Sequence, residues 1–169
     1  MSRAIIELTE EEQARIRQHC VAIQETHKLK NSKENLQDRS LDPLEVSVLG
    51  VSGEYALCKF LGIDYPFVIS EVGGDRGWDL DYRNGKLEVK TVQWKERTPE
   101  LRVGGNKVDL PYTHLVLVKQ LRYYQVFEVL GWATKKHFAA YGSIQDRKIN
   151  KMMVMPVYDL FDCESLRSI

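Results

Sequence analysis

Apolar residues recur at helical spacing in two stretches near the start of the chain. The first stretch begins with Thr9-Glu10-Glu11-Glu12, a capping box in which the Thr9 and Glu12 side chains accept hydrogen bonds from each other's backbone N–H groups. Its apolar stripe consists of Ile16, Cys20 and Ile23. The second stretch follows Pro43, runs from Leu44 to Leu61 and is followed by Gly62, which can adopt a left-handed C′ conformation. The pattern predicts two helices.

Two glycines, Gly50 and Gly53, lie inside the second predicted helix. Each costs about 1 kcal/mol relative to alanine in a helix interior. We expect them to permit a close approach of the sheet or of a substrate backbone. Glu54 would then stand where this helix runs nearest to the hairpin, although an ordinary exposed glutamate is the simpler interpretation.

An alternating pattern around Asn84-Gly85 predicts a β-hairpin. Asn-Gly suits a type I′ turn, because both central residues of that turn need positive φ. With the turn at these two residues, Asp81 lies opposite Glu88 and Asp79 lies opposite Lys90. Alternation directs all four of these side chains to one face of the hairpin. The other face can pack on a core and consists of Leu80, Tyr82, Leu87 and Val89.

Three later segments have the pattern of strands, and a short helix capped by Thr134 precedes the last of them. The strand segments are Tyr112–Lys119, Tyr124–Leu130 and Met152–Val157. A final helical turn is expected near Asp159–Leu166. This order of elements predicts an α/β fold with a mixed central sheet flanked by helices.

The chain has 169 residues, of which 43% are hydrophobic, enough for one globular domain. We divide it into an N-terminal helix with a polar connector, residues 1–40, and a domain that spans residues 41–169. The segment Lys28–Arg39 loses periodicity, and a solvated connector is preferred there over a phosphate-contacting arm. Residues 73–77 and 97–106 are predicted loops, the second with positively charged Arg97 and Arg102.

Charge and cysteine content narrow the class of protein only slightly. The 24 basic and 24 acidic residues cancel, so net charge neither indicates nor excludes a nucleic-acid partner. The three cysteines are far apart, as is typical of reduced thiols, and the four histidines have no metal-binding spacing. No apolar run approaches the ~20 residues that span a bilayer. We expect a soluble, cytoplasmic protein with no membrane association.

The acidic face of the hairpin needs a compensating charge. Asp79, Asp81 and Glu88 would lie roughly 5–8 Å apart and would repel one another unless a positive charge lay among them. A divalent cation is the candidate that this pattern favours.

The ordered set of Gly50-Val51-Ser52-Gly53-Glu54, Asp79 and Glu88-Val89-Lys90 resembles the motifs of the PD-(D/E)xK nuclease superfamily. The resemblance covers roughly residues 44–140 and implies a restriction-endonuclease-like core. Trp78 stands where the family's nominal proline would be, a departure that the family tolerates. Asp81 competes with Asp79 for the role of metal ligand. We favour Asp79, because it precedes an apolar strand residue as in family members and is predicted to lie opposite Lys90.

The resemblance implies a metal-dependent nuclease that hydrolyses phosphodiester bonds, with DNA as the favoured substrate. Mg²⁺ prefers oxygen ligands in an octahedron at about 2.1 Å, and Mn²⁺ can substitute for it. The implied ligands are Asp79, Glu88 and the backbone carbonyl of Val89, with Glu54 completing the shell directly or through a water. Lys90 would orient the attacking water or stabilise the phosphate oxygens.

Two other classes stay open. One is a nucleic-acid-binding or assembly protein that keeps the nuclease fold without turnover, and the other is a metal-free α/β interaction domain with a charged hairpin. The family often forms dimers, so a homodimer is a further expectation. Base stacking by Trp78, Trp94 and Trp132 is a weaker interpretation than packing. The basic residues that could contact phosphates are Arg76, Arg97, Arg102, Lys107, Lys119, Arg122, Lys135 and Lys136.

Overall fold

The chain folds into a mixed α/β structure with two sheets and three helices in the part that is described. A computed structural model of the chain describes residues 3–29, 42–69, 76–146 and 151–169. The helices are α1 (Glu10–Leu29), α2 (Pro43–Leu61) and α3 (Lys135–Tyr141). The strands are β1 (Ala4–Glu7), β2 (Leu80–Tyr82), β3 (Gly85–Val92), β4 (Glu100–Gly104), β5 (His114–Arg122), β6 (Val126–Thr134), β7 (Ser143–Asp146) and β8 (Lys151–Pro156). Short 3₁₀ turns lie at Gly105–Lys107, Val157–Asp159 and Cys163–Ser168.

The larger sheet has five strands in the order β1-β6-β5-β3-β2. Its β3 and β5 strands are parallel, and its other neighbours are antiparallel, so the predicted mixed sheet is confirmed. The smaller sheet is antiparallel, with the order β4-β8-β7. Strand β1 was not predicted from the sequence. Its pairing with β6 ties the N-terminal segment to the same sheet that carries the candidate site.

The two predicted N-terminal helices are confirmed together with their caps. The Thr9 N–H donates to Glu12 Oε2 at 2.8 Å, and the Glu12 N–H donates to Thr9 Oγ1 at 3.2 Å, which is the reciprocal capping box. Helix α2 begins after Asp42, whose carboxylate accepts from the Leu44 N–H, and ends at Gly62 with φ of 70°. Most of the predicted connector, from residue 30 onwards, lies outside the described residues.

Each face of the larger sheet is covered by its own hydrophobic cluster. Helix α2 packs against β3 and β5, and α1 packs against α2. This face buries Leu57, Leu87, Val89 and Val116, together with Ile16 and Cys20 from α1. The opposite face packs against the smaller sheet and α3 through Leu101, Leu115, Leu117, Phe138 and Met155. Because side chains alternate along β3, Glu88 points to the face opposite Leu87 and Val89.

Gly53 brings α2 close to the sheet, as the sequence predicts. A Cβ atom at Gly53 would lie 1.9 Å from Oγ1 of Thr91 on β3, so only glycine fits there. A Cβ atom at Gly50 would meet no atom of the described residues within 4 Å, so the sheet does not approach Gly50 closely. The alternative, an approach of a substrate backbone at Gly50, stays a prediction. The close approach at Gly53 places the next residue, Glu54, beside the start of the hairpin strands.

The predicted hairpin register is wrong by two residues. Leu80 pairs with Leu87 and Tyr82 pairs with Gly85, so the two-residue loop is Arg83-Asn84. The positive φ falls on Arg83, at 50°. Tertiary contacts account for the shift: a Cβ atom at Gly85 would lie 3.0 Å from Nδ1 of His114, so this glycine serves as a tightly packed strand residue. A shift of two residues keeps every side chain on its predicted face but changes its partner across the hairpin.

The predicted loop at residues 97–106 is also wrong. It contains β4 and the beginning of a 3₁₀ turn, and β4 pairs with β8. Arg102, named above as a residue that could contact phosphates, forms ion pairs with Glu96 at 3.2 Å and with Glu100 at 3.0 Å. The later strands and the Thr134-capped helix are confirmed with small shifts in their limits.

All three cysteines, Cys20, Cys58 and Cys163, are buried free thiols. None of the described helices combines the length and the apolar character that a bilayer crossing requires.

Candidate functional site

Glu88 is a carboxylate inside the protein. It lies in the middle of β3 and is only 2% exposed. Its Oε1 atom forms a close ion pair with Nζ of Lys90, two residues along the same strand. Its Oε2 atom is buried and has no hydrogen-bond partner among the described residues. A buried carboxylate oxygen without a donor is costly, because it has lost its water without gaining a replacement.

Asp79 is fixed against the backbone on both sides of Glu88. Its N–H donates to the Leu87 carbonyl at 2.8 Å, and its Oδ2 atom accepts from the Val89 N–H at 2.6 Å. These two bonds place Asp79 beside Leu87 and Val89 of β3. The predicted pairing of Asp79 with Lys90 is therefore wrong, since Leu80 pairs with Leu87 and not with Val89.

The pKa of Asp79 is raised by its surroundings. Burial raises the pKa of Asp79 well above its usual range, and the negative charges of Glu54 and Glu88 raise it further. The Val89 N–H bond and the positive charge of Lys90 act in the opposite direction but do not cancel the rise. The structure thus brings together the charges of all four predicted site residues, Glu54, Asp79, Glu88 and Lys90.

Glu54 reaches this group from α2, one residue after the glycine that lets the helix approach β3. Its Oε2 atom accepts a hydrogen bond of 2.8 Å from the Tyr65 hydroxyl. Its charge also contributes, after burial, to raising the pKa of the Cys20 and Cys58 thiols to about 12. Both thiols are therefore protonated at neutral pH, which makes them unsuited to act as nucleophiles or metal-binding thiolates.

The Val89 carbonyl was predicted as a backbone ligand. The N–H and C=O groups of one strand residue point to the same edge of the strand. Because the Val89 N–H donates to Asp79, its carbonyl is directed to the edge of β3 on which Asp79 lies. The oxygen atoms of Asp79 and Val89 that are predicted to bind metal thus lie at one edge of β3. Glu88 lies between Leu87 and Val89 on the same strand.

The oxygen atoms of the site are of the type that a hard divalent cation prefers, but they do not point to a common centre. Carboxylate and carbonyl oxygens are the ligands that Mg²⁺ and Mn²⁺ prefer, and the buried Oε2 of Glu88 lacks any donor. Among the described residues, however, no three histidine, cysteine, aspartate or glutamate side chains are arranged so that they could hold a metal ion. Each acid instead has one oxygen bound by a protein donor, from Lys90, Val89 or Tyr65. Rotation of these carboxylates would be needed to form a complete ligand set.

Asp81, the alternative ligand, lies apart from this group. Its side chain is exposed, and its Oδ1 atom accepts a hydrogen bond of 2.9 Å from Nε1 of Trp78. The preference for Asp79 over Asp81 agrees with this placement.

Two cationic side chains lie over the ring of Trp78, the residue that precedes Asp79. Nζ of Lys86 lies 4.0 Å from the centre of the Trp78 ring, and Cζ of Arg76 lies 5.7 Å from it. Neither cation forms an ion pair with an acid in the described ranges. Lys86 was missed in the sequence analysis, because it is a single lysine beside a turn and only the fold brings it over an indole ring.

Two further residues near the site were not predicted. Tyr65 binds Glu54, and the Tyr112 phenol, whose pKa is raised to about 12, feels the charge of Glu88 after the effect of its own burial. Neither belongs to a motif, so the sequence held no signal for them. The other two tryptophans differ in environment: Trp132 is 8% exposed within the core, and Trp94 is 60% exposed.

Comparison of the chain with protein-family models, with curated proteins and with solved structures gives no match. The function of the protein is therefore inferred from the residues of the site.

Proposed function

We propose that this protein is a metal-dependent nuclease of the PD-(D/E)xK type, with a restriction-endonuclease-like core, that hydrolyses phosphodiester bonds, with DNA as the favoured substrate. The observation that carries the proposal is the buried Glu88 carboxylate, whose Oε2 atom has no donor among the described residues and whose negative charge acts on a second acid, Asp79. The proposal is further supported by the order of the motif residues along the chain and by the approach of Glu54 to Asp79.

The charge balance of the site favours a bound cation. The negative charges of Glu54 and Glu88 both act on Asp79 and raise its pKa. Lys90 forms an ion pair with Glu88, and its positive charge also acts on Asp79 without cancelling the rise in the pKa of Asp79. A cation bound among these acids would stabilise their ionised forms.

Asp79, Glu88 and the Val89 carbonyl are the groups that would hold Mg²⁺ or Mn²⁺, with Glu54 completing the set. When bound, the ion would supply charge stabilisation at the phosphate and activation of the attacking water. Lys90 is partly exposed, with 27% of its side chain accessible, so its ammonium group can donate to a phosphate oxygen while Glu88 holds it in place. The Val89 N–H keeps Asp79 oriented on the strand edge.

The cations on Trp78 supply a contact for the substrate backbone. Arg76 and Lys86 lie on the residue that directly precedes Asp79, and no described acid neutralises them. Phosphate groups of a nucleic acid are the ligands that such a pair of cations attracts, with an affinity that falls as salt rises.

Calorimetric titration with Mn²⁺ tests the metal site. The wild type should bind Mn²⁺, Asp79→Ala should lose this binding, and Asp81→Ala should retain it, because Asp81 is exposed and lies outside the acid group. Labelled single-stranded, duplex, flap and four-way DNA, each with Mg²⁺ and with Mn²⁺, then tests cleavage. A wild-type protein that neither binds Mn²⁺ nor cleaves any of these substrates would reject the proposal.

A nucleic-acid-binding or assembly protein without turnover is the second candidate. It is favoured by one observation, that each of the three acids has an oxygen engaged by a protein donor and that no metal-holding arrangement exists among the described residues. This second function would be supported if the protein binds DNA, releases no heat on titration with Mn²⁺ and cleaves none of the substrates.

A further inference from the structure

Tyr65 lies between the aromatic packing of the helices and the candidate site. It follows α2 in the chain, and its hydroxyl donates to Oε2 of Glu54 at 2.8 Å. Its ring packs edge-on against Phe67, with ring centres 4.9 Å apart, and also contacts Tyr55 at 5.9 Å. The ring is therefore held by packing, and the hydroxyl is held at a fixed point beside the carboxylate.

We propose that Tyr65 is a positioning residue that orients the Glu54 carboxylate towards Asp79. This inference rests on the proposed function, because Glu54 needs a defined orientation only if it serves the site. A glutamate has three rotatable side-chain bonds, so a carboxylate on a helix surface samples several directions unless a partner fixes it. The bond from Tyr65 engages one oxygen and so limits the directions that the other can take.

The negative charge of Glu54 makes the hydrogen bond from Tyr65 a strong one. The acceptor is charged, and charge-assisted hydrogen bonds are roughly twice as strong as neutral ones. Burial raises the pKa of the Tyr65 hydroxyl, and the Glu54 charge and hydrogen bond raise it further, so this hydroxyl keeps its proton and acts as the donor. Partners of metal-binding residues typically affect metal affinity or activity 10- to 100-fold when they are removed.

A neighbouring tyrosine provides a matched control. Tyr55 belongs to the same aromatic group, but its hydroxyl donates to Oε1 of Glu12 at 3.3 Å and not to Glu54. Tyr65→Phe and Tyr55→Phe each remove one hydroxyl and keep the ring. Only the first change alters the hydrogen bond to Glu54.

The experiment measures Mn²⁺ affinity by calorimetry and the DNA cleavage rate in Mg²⁺. Tyr65→Phe should lower the Mn²⁺ affinity about 10-fold, whereas Tyr55→Phe should match the wild type. Glu54→Asp, whose shorter side chain cannot reach the hydroxyl, should cause a similar loss by a second route. In a Glu54→Ala background, which removes the acceptor, Tyr65→Phe should add no further loss, because both changes act on one interaction. Thermal unfolding of each variant checks that the fold is kept.

The outcomes separate this inference from the proposed function. If the wild type binds Mn²⁺ and cleaves DNA while Tyr65→Phe is indistinguishable from it, the positioning role is overturned and the nuclease proposal stands. Equal losses from Tyr65→Phe with and without Glu54→Ala would also overturn it, since the hydroxyl would then act through a group other than Glu54. A wild type that shows neither Mn²⁺ binding nor cleavage overturns both.

Discussion

Asp79→Asn should change the stability of the protein in opposite directions without and with metal. The substitution keeps a side-chain oxygen that can accept from the Val89 N–H and removes a charge that repels those of Glu54 and Glu88. Charge pairs between neighbouring strands change stability by about 0.2–1 kcal/mol, and like charges are destabilising. Without metal, we therefore expect the variant to be more stable than the wild type by about this amount.

The sign of the pH dependence follows from the raised pKa of Asp79. In the unfolded chain an aspartate ionises near its ordinary pKa of about 3.9. The folded wild type holds the proton to higher pH, so its stability falls as pH rises from that ordinary value through the raised pKa. Asp79→Asn has no such loss at this position. The stability difference should be small at low pH and reach its full value only above the raised pKa.

Metal should reverse the order of stability. A ligand present at 100 times its Kd stabilises the folded state by about 2.7 kcal/mol, and for a chain of 150–250 residues each kcal/mol shifts Tm by about 2–4 °C. Saturating Mn²⁺ should therefore raise the Tm of the wild type by about 5–11 °C and leave Asp79→Asn unchanged.

Thermal unfolding monitored by circular dichroism, with EDTA or with Mn²⁺, at several pH values, measures each of these quantities. Asp81→Asn is the control, because Asp81 is exposed two residues further along the chain and should respond to Mn²⁺ as the wild type does. The reasoning is refuted if Asp79→Asn is less stable than the wild type in EDTA at neutral pH, or if Mn²⁺ raises both Tm values equally.

Three further predictions concern the site and its support. Lys90→Ala should reduce DNA cleavage about 10²–10³-fold while most Mn²⁺ affinity remains; Lys59→Ala, which breaks another lysine–glutamate pair at 2.9 Å, should cleave normally. Mn²⁺ affinity, measured by calorimetry, should fall about 10-fold per pH unit below the raised pKa of Asp79, since the metal needs the ionised acid; a flat profile there would contradict this. In urea unfolding, Gly53→Ala should lose about 1–3 kcal/mol through overlap with Thr91, and Gly50→Ala should lose nothing or gain up to about 1 kcal/mol.

The parts of the fold that could be predicted from the sequence are those set by local chemistry. The Thr9 capping box and the Gly62 C′ position depend on side chains and dihedral angles within one helical turn, so the sequence carries their limits directly. The acids and lysine of the site could be named because they alternate on a strand. The near contact at Gly53 followed from the cost of a glycine inside a helix, which needs a reason in packing.

The parts that could not be predicted depend on contacts distant in sequence. The hairpin turn moved from Asn84-Gly85 to Arg83-Asn84 because Gly85 packs against His114 and because Arg83 reaches the C-terminal Ile169 carbonyl at 3.3 Å. Strand β1 has four residues and is ordered by its partner β6. Tyr65 carries no pattern of its own, since its role is defined only by the position of Glu54.

The difference in register changes the charge pairs across the hairpin more than it changes the fold. A shift by one residue would have turned the acids into the opposite core, but a shift by two kept Glu88 and Lys90 on their face. The predicted pairing placed Asp79 opposite Lys90, where the two charges would have neutralised each other across the strands. In the observed structure Asp79 is bonded to the backbone of Leu87 and Val89, and Lys90 forms an ion pair with Glu88 along its own strand. Asp79 therefore does not lie opposite Lys90, and the charges of Glu54 and Glu88 raise its pKa. This arrangement gives a stronger physical reason for a cation at this strand edge than the predicted register did.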